Sequence, residues 1–376
     1  MSVEPRSNGA LAEGKILYLE SLRGIAALTV ALHHFRVNTP IADNTFVNNG
    51  WLMVDFFFVL SGYVIALNYQ EEIRSWRTLV TFQAKRFLRL YPLHIVMLFV
   101  FLGIETAKYF VTHHMGLVPD RSAFSANNAE SFLHHISLTQ SLFIDGTTWN
   151  GPSWSISAEF YTYILFALVV LVFKARPSIY IAVSSVLVAL GFLYLSRNGY
   201  TFGIVRCLYS FFIGVLVLNC ASVARWAVST FAMTLVVGAT VVGLSVSEWP
   251  AFELVSLMFP PIFGLMILAL VRSPVNGSLK RILEHRSLVY LGTISYGIYM
   301  VHVAVWWVIN QVLRQVVRLP TVPSEEGGLL VVMDNQIYAS LVVIAGVAAI
   351  LYLSHQSYRR IEMPLNALRH RLGRYI

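Results

Sequence analysis

Arg23 and His34 stand eleven positions apart in a segment, Leu22 to Phe35, that is otherwise almost wholly apolar. On a helix that spacing returns both side chains to within about 20° of one face, about 16 Å apart along the axis. One face would then carry a guanidinium toward one end and an imidazole toward the other. Imidazole titrates near neutrality and is the commonest general base, so His34 is the candidate acceptor for a hydroxyl proton. The competing reading lets Arg23 snorkel and gives His34 a polar contact.

Other costly residues recur in apolar surroundings. Asp55 opens the next apolar run at a depth comparable to His34. A carboxylate there would fix the imidazole tautomer, or simply answer the positive end of a helix. Glu159, inside the run that opens with Trp154 and Ser155, could orient His34 or pair with Arg206. Arg86 and Arg89 are spaced i, i+3 and project together on a helix, which suits phosphate groups of a ligand or of lipid. Ser61 beside Gly62 reads as a polar contact or as a small residue for close helix packing. Ser295, Tyr299 and His302 form a polar stripe at i, i+4, i+7, with Tyr296 beside it, suited to bonding between helices.

The elements that must hold these residues follow from composition. Of 376 residues, 57% are hydrophobic and 12% charged, against about 25% charged in a soluble domain. Mean hydropathy is +0.66. Apolar runs of near-spanning length recur from end to end, so the solvent is lipid and the class is an all-α polytopic membrane protein. Ten spans are expected near 17–36, 51–69, 88–111, 154–173, 178–195, 202–219, 226–246, 252–271, 288–312 and 336–354. The first contains Arg23, His33 and His34 and lacks a small-residue cleavage site, so it is no signal peptide. A single domain is expected over 1–376, with an outer loop at about 112–150 and a tail at about 355–376.

Charge sets direction. Nineteen of the 27 lysines and arginines fall in alternate segments that include both ends of the chain. Only Arg36, Lys108, Arg121, Arg197, Arg314 and Arg318 fall on the other side. Both termini are therefore expected in the cytoplasm. The net charge of +8 then reads as positive-inside bias, with membrane lipid and not nucleic acid as its partner. Cys207 and Cys220 offer no disulfide framework. The pairs His113-His114 and His134-His135 are adjacent in loops and poor chelators, so no metal is expected. His114 and Asp120 miss the His-x4-Asp spacing of glycerolipid acyltransferases by one residue.

Taken in order, five segments resemble the acyltransferase-3 family of integral-membrane O-acyltransferases across nearly the whole chain. Arg23-x10-His34 is similar to its Arg-x10-His element. VDFFFVLSGYVI (54–65) resembles its Asp-Phe-Phe-x-x-Ser-Gly segment, and RFLRLYP (86–92) its Arg-x-x-Arg element. WSISAEFYTY (154–163) and LGTISYGIYMVH (291–302) resemble its Trp-Ser-x-x-x-Glu-Phe and helix-nine motifs. The resemblance implies transfer of an acyl group, usually acetyl from acetyl-CoA, to a hydroxyl. Family acceptors are mostly surface carbohydrates such as lipopolysaccharide O-antigen or exopolysaccharide, and sometimes macrolides. It further implies that His34 is catalytic, that Arg86 and Arg89 contact the CoA donor, and that the chain sits in a bacterial inner membrane. Some relatives carry an appended hydrolase domain. This chain ends soon after its tenth expected span, so it is expected to act alone or with a separate periplasmic partner.

The expected mechanism has CoA phosphates on Arg86 and Arg89, helped by Arg23. The thioester reaches the outer half, and His34, oriented by Asp55 or Glu159, deprotonates the acceptor. Trp154, Ser155, Arg206 and the helix-nine hydroxyls would then shape the substrate path. A secondary transporter is the rival from another class, but the two halves show no inverted repeat and no paired broken helices.

Overall fold

A computed structural model describes residues 16–35, 37–115, 122–144, 146–173, 176–198, 203–223, 226–246, 252–274, 277–323 and 329–366. Arg6, Lys15, Arg36, Asp120, Arg121, Asp145, Lys174, Arg225, Glu325, Glu326, Arg369, Arg371 and Arg374 lie outside these residues.

The order is α1 (Leu17–His33), α2 (Thr45–Asn48), α3 (Met53–Tyr69), α4 (Trp76–Met115), α5 (Ala129–Ile136), α6 (Gln140–Phe143) and α7 (Trp154–Phe173). Then come α8 (Pro177–Asn198), α9 (Gly203–Val223), α10 (Thr230–Ser245), α11 (Phe252–Arg272), α12 (Ser278–Leu283), α13 (Arg286–Thr293), α14 (Ser295–Gln311) and α15 (Gln336–Ser357). A small antiparallel hairpin of β1 (Thr321–Pro323) and β2 (Leu329–Val331) precedes α15.

The all-α membrane reading holds. Among the described residues, seven helices are long and apolar enough to cross a bilayer: Thr45–Tyr69, Trp76–His114, Gly151–Phe173, Pro177–Asn198, Gly203–Val223, Ser295–Val316 and Gln336–Asn366. α1, α10 and α11 occupy the other expected positions; α1 and α10 are shorter, at 17 and 16 residues, and α11 runs for 21 residues from Phe252 to Arg272. Large apolar side chains such as Phe99, Leu190, Leu235 and Leu341 point outward and are more than half exposed, as a lipid-facing surface requires.

Three expectations of element boundaries change. The run expected over 88–111 is part of α4, a helix of 40 residues, about 60 Å long. Arg86 and Arg89 therefore sit on the same helix as the span, one to two turns before its internal Pro92. The span expected over 288–312 is divided at Ile294, whose backbone leaves the helical region between α13 and α14. α13 is pressed against α1: a Cβ on Gly292 would lie 2.0 Å from the Glu20 carbonyl oxygen. The segment expected to begin a tail at 355 continues α15 through a π-helical turn, Tyr358–Glu362.

Backbone contact between α3 and α9 fixes the centre of the bundle. A Cβ on Gly62 would lie 1.9 Å from the Phe211 carbonyl oxygen, and one on Gly214 would lie 1.9 Å from that of Val59. Small residues allow such approach where lipid provides no hydrophobic drive between helices. Gly62→Ala should therefore force the pair apart and cost at least about 1–3 kcal/mol. Gly103→Ala, where a Cβ meets nothing within 4 Å, is the matched control. Thermal unfolding in detergent checks both, and equal midpoints for the two variants would contradict the packing argument.

Candidate active site

Three cavities follow one another along α1. A vestibule of about 350 Å³ lies where α1 starts, bordered by Glu20, Tyr69, Lys85 and other residues. Arg23, Leu60, Val64, Ile65, Arg86 and Arg89 border both it and a central cavity of about 160 Å³. Val54 and Tyr299 in turn border both the central cavity and an outer one of about 450 Å³, whose wall includes His34. The face predicted from the Arg23–His34 spacing is thus the face α1 turns to this row.

The vestibule is basic, with unequal neutralisation. Arg23 pairs with Glu20 at 3.0 Å, one helical turn away. Arg89 pairs with Glu362 at 2.9 Å and lies over the Tyr296 ring, 5.7 Å from its centroid. Arg86 instead donates to the Tyr69 hydroxyl at 2.8 Å and faces the Tyr69 and Phe82 rings at 5.0 and 5.8 Å. Its Nε is buried without a hydrogen-bond partner among the described residues. A guanidinium held by a phenol and two aromatic faces keeps its charge available to an anion.

In the central cavity, Ser61 donates to Glu159 at 2.6 Å and lies 2.8 Å from the Tyr163 hydroxyl, which also donates to Glu159. Tyr299 donates to the Pro152 carbonyl at 3.0 Å and meets Ser155 Oγ at 2.8 Å, tying α14 to the start of α7. Tyr296 donates to the Leu90 carbonyl.

At the outer end, His34 Nδ1 lies 2.8 Å from the Val30 carbonyl. A carbonyl only accepts, so Nδ1 carries the proton and Nε2 is the lone-pair nitrogen of the neutral ring. His33 is bound differently, its Nδ1 3.2 Å from the Val47 carbonyl, which separates the two neighbours that sequence leaves ambiguous. His302 is fully buried, its ring 5.0 Å from that of His34 and its Nδ1 3.1 Å from the Ile298 carbonyl.

Asp55 and Glu159 are each held by partners other than His34. Both Asp55 oxygens are held by Arg206, Nε at 2.9 Å and Nη2 at 2.7 Å, and Ser210 adds a bond at 3.2 Å. Trp51 and Trp154 flank that guanidinium at 5.1 and 5.6 Å. Glu159 belongs to Ser61 and Tyr163. The expectation that Asp55 or Glu159 fixes the imidazole is thus corrected, as is the alternative pairing of Glu159 with Arg206. The choice of partner depends on which helices touch, and α9 touches α3.

Several residues of the site escaped the sequence. Tyr163, four positions after Glu159, and Glu20, three before Arg23, carried an i, i+3/i+4 signal. Glu362 and Tyr69 carried none, since chain separation hides their approach to Arg89 and Arg86. Glu105 and Lys108, paired at 2.8 Å on the outer wall, were legible only as an i, i+3 pair.

The segments 122–127 and 147–152 roof the outer cavity. Glu105 accepts from the Phe124 backbone N–H and from Asn127, each at 2.9 Å. His94 Nε2 bonds the His135 carbonyl at 2.9 Å, and His135 Nε2 reaches Thr148 at 2.9 Å. Burial, aided by His94 and His134, lowers the pKa of His135, on the short α5, from 6.5 to about 3. The closed roof therefore excludes a proton that an opened roof binds. Its stability is full above about pH 6.5 and falls as pH drops from there toward about 3. Amide exchange over 129–136, corrected for intrinsic rates, should rise on acidification; pH-independent protection would contradict this.

Comparison with known proteins adds an independent line. A family model described as an acyltransferase domain matches residues 16–355. The chain is 26% identical over 380 aligned positions to the peptidoglycan O-acetyltransferase OatA of Listeria monocytogenes, covering 92% of this chain and 55% of that protein. It is 30% identical over 157 positions to the acyltransferase MdmB of Streptomyces mycarofaciens, covering 40% of this chain and 38% of that protein. The matched regions thus span less than two thirds of either relative's length. No solved structure matches.

Proposed function

The chain belongs to the acyltransferase family whose model it matches over 16–355, and on that premise we propose a membrane O-acyltransferase. It moves an acetyl or other short acyl group from cytoplasmic acyl-CoA to a hydroxyl of an exported or surface carbohydrate. The acetyl group and the polysaccharide acceptor in the name of the Listeria relative favour this choice. With both termini cytoplasmic, as the lysine and arginine distribution favours, the vestibule opens inward and His34 lies toward the outside of a bacterial inner membrane.

The observation that carries this reading is the row of cavities with shared walls, running from Arg86 and Arg89 to His34. CoA phosphates meet Arg86, whose charge no described carboxylate neutralises, together with Arg89 and Arg23. The thioester arm threads the narrow central cavity past Ser61 and Glu159. In the outer cavity His34 Nε2 takes the acceptor hydroxyl proton as the oxygen attacks the thioester carbon. The carbon–sulfur bond breaks, and the CoA thiolate takes the proton back from the imidazolium. Asp55, already matched by Arg206, holds α3 and α9 together beside this step and is not a base. The ester forms on the carbohydrate directly or through a separate periplasmic partner.

Arg86→Ala tests the donor half. Losing charge-assisted bonds to phosphate should cost about 1.5–3 kcal/mol. That raises the KM for acetyl-CoA roughly 10- to 100-fold, with kcat changed little. An unchanged KM in membranes would place the donor elsewhere.

A further inference from the structure

We infer that the outer cavity is the acceptor subsite and that it selects an uncharged, hydroxyl-rich ring. This rests on the acyl-transfer reading above and adds what the acceptor must be. Among the described residues, the arginine and the lysine of this wall are each matched by a carboxylate. Arg206 pairs with Asp55 and Lys108 with Glu105, at 2.7 and 2.8 Å. Among the described residues, an anionic sugar finds no unneutralised cation on this wall and a cationic one no unneutralised carboxylate. The vestibule differs in just this respect, since Arg86 there has no carboxylate partner among the described residues. Burying an unmatched charge beside these pairs would be costly.

Shape and surface agree. The cavity, about 450 Å³, lies within the usual range for small-ligand sites, about 300–1,000 Å³. Trp51, Trp149 and Trp154 contribute to its wall, and Ser125, Asn127 and Thr147 contribute polar groups from the roof. Indole faces suit the C–H faces of a pyranose, while hydroxyls and amides suit its equatorial groups.

Trp149 is held for this purpose. Its backbone sits in the left-handed region at φ 51°, which a bulky residue adopts only under constraint. The constraint is visible: its N–H donates to Asn127, and its indole N–H donates to Ser131 at 2.9 Å. Asn127 is itself held by Glu105. One chain of bonds thus runs from the Glu105–Lys108 pair to the indole that forms the wall.

The test labels a crude native glycan with [14C]acetyl-CoA in membranes, then depolymerises it enzymatically and separates the labelled sugars by electrophoresis. Label on a neutral sugar is expected. Glu105→Gln, which releases Lys108 from its carboxylate, should shift label toward acidic sugars. Trp149→Ala should raise the KM for glycan about tenfold while leaving that for acetyl-CoA unchanged, with partial rescue by Trp149→Phe. Wild-type label found chiefly on an acidic or basic sugar overturns the selectivity while acyl transfer stands. A Trp149→Ala enzyme with unchanged glycan KM overturns the placement of the acceptor. No label on any glycan, with donor still retained by the membranes, overturns acyl transfer to carbohydrate and this inference with it.

Discussion

His34→Ala membranes should transfer acyl groups about 10²- to 10⁴-fold more slowly than wild type, the usual contribution of a positioned general base. The geometry makes this specific to one of two adjacent histidines. His34 borders the outer cavity and commits Nδ1 to the Val30 carbonyl, so Nε2 is the nitrogen that would accept a proton. His33 is committed to the Val47 carbonyl, so His33→Ala should keep most activity. The proposed donor site lies at the far end of the row, so the KM for acetyl-CoA should hold in both variants. Initial rates of label transfer decide it. A His34→Ala rate within a few-fold of wild type would remove His34 from the chemistry.

Arg206→Ala should be the most damaging single change to stability, at about 3–5 kcal/mol. Asp55 is fully buried and takes two bonds from that guanidinium. Truncation leaves an uncompensated carboxylate buried between α3 and α9. Asp55→Leu combined with Arg206→Met removes both charges and should recover most of the loss, because a buried pair contributes little net of its desolvation. Unfolding in detergent would measure the cycle. A loss below about 1 kcal/mol for Arg206→Ala would show that the pair is already hydrated.

What sequence could show and what it could not divide along a physical line. The Arg23–His34 face and the Arg86–Arg89 pair rest on helical periodicity within one element, and both side-chain sets line the cavities as that spacing implies. The partner of Asp55 is 151 positions away and is chosen by the approach of α3 and α9 at Gly62 and Gly214, which periodicity does not encode. The same holds for Arg89 and Glu362, 273 positions apart. Element ends follow the same division. Hydropathy locates the apolar part of α4 but not its polar start at Trp76. It also runs α13 and α14 together, because the break at Ile294 comes from packing against α1 and not from a proline or a polar run.

Sided vesicles test most directly whether the proposed path runs from an inward donor site to an outward acceptor site. Right-side-out vesicles loaded with [14C]acetyl-CoA and bathed in glycan should release labelled glycan outside, and His34→Ala vesicles should release almost none. If label reaches the glycan only when acetyl-CoA is supplied outside, the donor does not enter by the Arg86–Arg89 vestibule and the account fails.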